Sequence, residues 1–168
     1  MATEHLFQIH LVLGYVAWAL AFGAYILPKF RTMTQREVQR AIATLHGFRF
    51  FGLVFLIPGL TGPHLQPLFT VYTAWGDFIT GVLALMALIA IGIRPLFWLL
   101  VIAFNLIGFA DLILAYVHAI ETGVPAMAGQ LGLTYVVPVL YVPILMITHL
   151  TAFYWLIRRT PRTAAASE

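Results

Sequence analysis

Apolar residues run nearly unbroken through five stretches of the chain, residues 6–28, 41–60, 69–93, 96–118 and 133–157, with polar residues gathered in the short segments between them. A bilayer core takes about 20 residues as an α-helix, so each stretch predicts a transmembrane span. Together they use about two-thirds of the chain and leave no room for a separate soluble domain. Residues 1–159 therefore read as one all-α integral membrane bundle of five transmembrane helices. Residues 160–168, small and polar, read as a disordered cytoplasmic tail. The first stretch follows Met-Ala-Thr-Glu-His, which is not basic, and it outruns the apolar region of a signal peptide. It reads as a retained span.

Finer features punctuate these stretches. Thr34 can cap the second helix early, with Glu37 three residues later completing a capping box. Pro138 and Pro143 interrupt the fifth stretch, each freeing the carbonyl four residues earlier, at Thr134 and Val139. Such a break is either a plain kink or opened backbone of the kind transporters use for ion and substrate sites. Gly14, Ala17, Ala21 and Ala24 form a small-residue stripe on the side of His10, which permits close helix approach. Gly76, Gly81, Gly92 and Gly108 predict the same for the third and fourth helices.

The basic residues give direction. Lys29, Arg31, Arg36 and Arg40 lie between the first two stretches, Arg94 between the third and fourth, and Arg158, Arg159 and Arg162 after the fifth. Five spans place these segments on one side, with eight of the nine basic residues. The positive-inside rule then sets the N-terminus outside and the C-terminus in the cytoplasm. Tyr72, Trp75, Tyr116 and Tyr135 fall near the outer ends, and Tyr25, Trp98, Tyr154 and Trp155 near the inner ends, as interface anchors do. Trp18 is the exception, at mid-span. The expected setting is a bacterial cytoplasmic membrane.

Composition narrows the function classes. The chain is 62% hydrophobic and 9% charged, against about 25% charged for a soluble domain. This excludes a soluble enzyme, and a formal net charge of +3 is no nucleic-acid footprint. With no cysteine there is no thiol nucleophile, thiolate metal site or secreted disulfide scaffold. Nucleotide-binding loops, zincin motifs and serine elbows are absent, and no catalytic residue is assigned. The expected partners are the lipid bilayer and either further copies of the chain or a larger membrane complex.

Sorting the charges leaves only Arg49, Asp77 and Asp111 inside the bilayer. A central Asp costs about 2.5–3.5 kcal/mol on insertion scales, so both should face the bundle interior or hold a proton. Asp111 and His118, seven residues apart, share a helix face, and Asn105 lies on another. One reading is a ligand or proton site open to the outer side, built from Asp77, Asp111, Asn105, His118 and Arg49. The other is a pair of structural carboxyls bonded to Thr80 or Asn105.

His46 and His149 sit on two helices in the same inner half, the minimum for bis-imidazole ligation of haem b. Arg49 could then pair with a propionate, and His10 with His118 would make a second such pair near the outer surface. In the plainer reading the membrane starts near Thr44, Arg49 is about five residues deep and snorkels to the inner interface, and His46 and His149 are hydrogen-bonded interior imidazoles. The histidines are too scattered for zinc, so no metal is expected. Three classes stay open: a binder or carrier of a small solute or protons, which leads; a b-type haem protein; and a structural or accessory subunit.

Overall fold

A computed structural model describes residues 2–158 of the chain. The expected tail, residues 160–168, lies outside the described residues, as do Arg159 and Arg162. The protein is 87% helix, with no strand among the described residues. Helix α1 runs over Thr3–Thr32, α3 over Pro67–Ile89, α4 over Arg94–Glu121 and α5 over Val137–Ile157. These four are long and apolar enough to cross a membrane.

The second stretch departs from expectation. Instead of one α-helix over residues 41–60, a short α2 (Gln35–His46) passes into a 3₁₀ segment, Gly47–Leu56. A 3₁₀ helix has three residues per turn, so side chains three apart stand in line. That period fits this sequence. Arg49, Gly52 and Phe55 form one buried ridge, while Phe48, Phe50 and Phe51 point outward. An α-helix would rotate those three inward positions off a common line.

The helix begins where the sequence places its cap. Thr34 Oγ1 accepts from the Glu37 backbone N–H, and the Glu37 carboxylate accepts from the Thr34 N–H at 2.7 Å. That backbone donor holds the Glu37 carboxyl below the usual range. The chain then climbs the bundle. Gln35 and Gln39 donate to the carbonyls of Trp155 and Ala152, which fixes the start of α2 beside the end of α5. Arg36 donates to the Ile91 carbonyl nearby. By Phe55 it has reached the far end, where that ring packs edge-on against Phe69 at 5.7 Å.

Two large apolar cores and a small third one, Leu112 with Leu145 and Met146, fill the interior. One large core, near the basic end, holds Phe22, Phe30, Ile42, Phe97, Phe104 and Trp155; the other, at the opposite end, holds Phe7, Phe55, Phe69, Leu131 and Val137. The outward faces carry Leu, Ile, Val and Phe in the open, a surface that suits lipid and would be a liability in water.

Helix α5 is broken as its prolines predict, opening on a π-helical turn, Val137–Tyr141. Helix α1 covers the break. Gly14 packs directly onto the Val139 carbonyl that Pro143 frees, with no room for a Cβ. Trp18 Nε1 donates to the Leu140 carbonyl at 2.7 Å, which accounts for this tryptophan at mid-span. The rest of the predicted stripe does not make the contact: Ala17 and Ala24 are exposed. A π-helical turn at Phe22–Ile26 shifts the register of α1 and carries Phe22 into the core.

Candidate functional site

Arg49 is fully buried, on the 3₁₀ ridge, between the carboxylates of Asp77 and Asp111. Its Nε donates to Asp77 Oδ1 on α3 at 2.7 Å, and Nη2 donates to Asp111 Oδ2 on α4 at 2.5 Å. Nη1 donates to the Gly108 carbonyl and to His149 Nε2, each at 3.2 Å. Four of its five N–H groups thus have protein acceptors. The side chains of Asp77 and Asp111 keep 6% and 10% exposure, and Arg49 none.

Snorkelling is therefore overturned. The physical reason is where the segment starts and how it climbs: from Gln35, at about 1.5 Å per α residue and 2.0 Å per 3₁₀ residue, Arg49 lies about 20 Å along the axis. The guanidinium meets carboxylates that the sequence seemed to place in the other half of the bilayer.

Glycines make the close approach possible. A Cβ at Gly76 would overlap the Asp111 carboxylate, and one at Gly52 would overlap that of Asp77. At Gly108 it would fall 2.7 Å from Arg49 Nη1 and 2.8 Å from His149 Nε2, and at Gly81 2.9 Å from the Phe50 nitrogen. Gly92 has nothing within 4 Å and is not part of this packing. Sequence inspection groups Gly76, Gly81 and Gly108 as small residues but misses that they border a charge cluster. Gly52 it misses altogether; its three-residue step from Arg49 was the available signal.

A chain of hydrogen bonds leads away from the guanidinium. Arginine only donates, so His149 Nε2 accepts, and Nδ1 carries the hydrogen and donates to Asn105 Oδ1 at 2.9 Å. Asn105 in turn donates to the Val101 carbonyl. Thr148 donates to the carbonyls of Ile144 and Leu145, so its oxygen accepts from His46 Nε2 at 3.0 Å. The arrangement holds His149 as one neutral tautomer. His46 Nδ1 is buried with no partner.

These residues do not fit bis-imidazole ligation. The His46 and His149 rings pack against each other with centroids 4.0 Å apart, which leaves no space for a macrocycle between them. Arg49 already serves two carboxylates and has one N–H without a protein acceptor, which leaves no fork for a propionate. His10 and His118 are engaged elsewhere, His10 with the Tyr135 hydroxyl at 2.7 Å and His118 against the Tyr72 ring at 4.6 Å.

Of the predicted site residues, the fold brings Asp77, Asp111, Arg49, Asn105 and His149 into one network and adds His46 by ring contact. His118 stays outside it. Thr80 and Asn105 are not the carboxylates' partners: Thr80 donates to the Gly76 carbonyl, and Asn105 serves His149.

A model of the family described as Domain of unknown function (DUF8737) matches residues 6–157. The chain belongs to this family. The DUF8737 region runs from within α1 to the end of α5 and takes in every member of the buried network. No curated protein and no solved structure matches the chain.

Proposed function

We propose that the chain is a multi-pass cell-membrane protein of five crossing segments, N-terminus outside and C-terminus cytoplasmic, whose Arg49–Asp77–Asp111 cluster takes up and releases a proton. The observation that carries this is two carboxylates on one buried guanidinium. Fully ionised, the cluster has one unmatched negative charge inside an apolar bundle, where a lone charge is costly. One proton cancels it. The carboxylate oxygens that do not bond Arg49 are the receiving atoms, and the slight exposure of the two Asp side chains gives a route.

The fifth crossing is supported by length and by ends. Segments α2 and Gly47–Leu56 together rise about 38 Å, more than the roughly 30 Å hydrocarbon core. They run from the end bearing Lys29, Arg36 and Arg94 to the opposite end, and the charge bias orients the bundle. The proposed setting is a bacterial-type cytoplasmic membrane.

Infrared difference spectra of the protein in lipid nanodiscs test the proton site. Acidification should raise a protonated-carboxyl band that shifts in deuterium oxide and is absent from Asp111→Asn or Asp77→Asn. A band that both variants retain would sink the proposal. A second reading, a purely structural clamp, is favoured by how completely Arg49 is satisfied. It requires that wild type show no titrating band at all.

A further inference from the structure

At the end of the bundle away from the basic residues lies a cavity of about 210 Å³ that the ion cluster does not use. Every helical segment that crosses the bundle contributes to its wall, among them Phe7 of α1, Phe55 of the 3₁₀ segment, Phe69 and Thr73 of α3, Tyr116 of α4 and Val137 of α5. Phe7, Phe55, Phe69 and Val137 are each at most 6% exposed and form its inner wall, while exposed Gln8 and Ile120 stand at its rim and leave a way in. An apolar cavity of about 150 Å³ suffices to bind benzene.

Three lining residues carry polar side-chain atoms, Gln8, Thr73 and Tyr116, and one of these atoms is left without a partner. Thr73 is 8% exposed, and its Oγ1 is buried with no hydrogen-bond partner. Other threonines on these helices donate to the carbonyl one turn back, as Thr70, Thr80, Thr148 and Thr151 do. A buried hydroxyl without a partner costs more than one never placed there, since valine would fill the same space. The other two polar wall groups are engaged: the Tyr116 hydroxyl by Tyr15 at 2.8 Å, and the Gln8 amide, which donates to Glu4 at 3.4 Å.

We infer that this cavity binds a neutral, ring-sized lipophile carrying a single hydroxyl or carbonyl oxygen, which hydrogen-bonds to Thr73 Oγ1. Edges and faces of Phe7, Phe55 and Phe69 suit a planar ring. The absence of any charged lining group rejects an ionised ligand, which would lose its hydration without compensation. The inference stands apart from the proton site: Thr73 is one helical turn from Asp77 but makes no bond to it.

Fluorine NMR of the full chain in nanodiscs, with para-fluorophenol, fluorobenzene and para-fluorobenzoate as probes, tests it. Para-fluorophenol should give a saturable bound line, with fluorobenzene weaker by about five- to tenfold, the worth of one hydrogen bond. Para-fluorobenzoate should give none. Thr73→Val, which keeps the shape, should bring the phenol-to-benzene ratio close to one. Ala115→Phe, which fills the space, should remove both lines, and Ala119→Leu serves if that variant does not fold. Equal binding of phenol and benzene by wild type would mean the space merely accepts any apolar filler, a lipid chain included, and would overturn the inference. So would a bound line that survives filling.

Discussion

At Arg49 one guanidinium answers two carboxylates, and the geometry of its donors decides what can replace it. Nε and Nη2 point at different acids, on different helices, while Nη1 holds a backbone carbonyl and an imidazole. Lysine offers a point charge on a flexible stem and cannot hold that fork. Arg49→Gln should lower the unfolding free energy by about 3–5 kcal/mol, because two carboxylates are left in the interior with no cation. Arg49→Lys should recover only part of it. Denaturant titration in mixed micelles checks both, and a lysine variant as stable as wild type would show that charge alone is what matters there.

Helix approach sets the second scale. Helices α3 and α4 lie close enough for the Asp111 carboxylate to rest on the backbone of the neighbouring helix, and Gly76 is the position that permits it. Gly76→Ala should force the two helices apart and pull Asp111 off Arg49, with a clear fall in melting temperature. Gly92→Ala should be neutral or slightly stabilising, since alanine is the better helix former and no neighbour stands within 4 Å. If both changes melt alike, close packing at Gly76 is not what holds the pair. The 3₁₀ segment obeys the same logic with a different period. Its three-residue repeat carries Arg49, Gly52 and Phe55 to one interior line, so the glycine that clears Asp77 stands one turn from the arginine that binds it.

Over the whole molecule, the fold was legible wherever apolar length carried the signal. Residues 69–93 and 96–118 anticipate α3 and α4 to within a few residues, and Thr34 with Glu37 marks the start of α2. Sorting charges also isolates Arg49, Asp77 and Asp111. What the sequence withheld was the pairing among them. An α-helical rise misplaces Arg49 along the bundle, because α2 begins at Gln35 and passes into a 3₁₀ segment with a longer rise. The haem reading failed to fit for a related reason: matching depth on two helices does not tell whether two rings face a shared gap or each other.

The path of residues 35–56 makes a prediction about the whole chain. The protein has no cysteine, so single cysteines can report sidedness without background. Met33→Cys and His64→Cys should react with an impermeant maleimide from opposite sides of sealed vesicles, His64→Cys from outside. Reaction from the same side would mean that the second segment does not cross.

The hydrogens running from Arg49 through His149 and Asn105 to the Val101 carbonyl all point one way, and their source is a group with no lone pair to accept a replacement. Such a wire cannot relay by hopping, for its first member never gives up a hydrogen and so is never refilled. Toward the basic end the network is an insulator. Under the proposed proton uptake, a charge loaded at the carboxylates has no exit through His149 and Asn105 and returns by the side it entered.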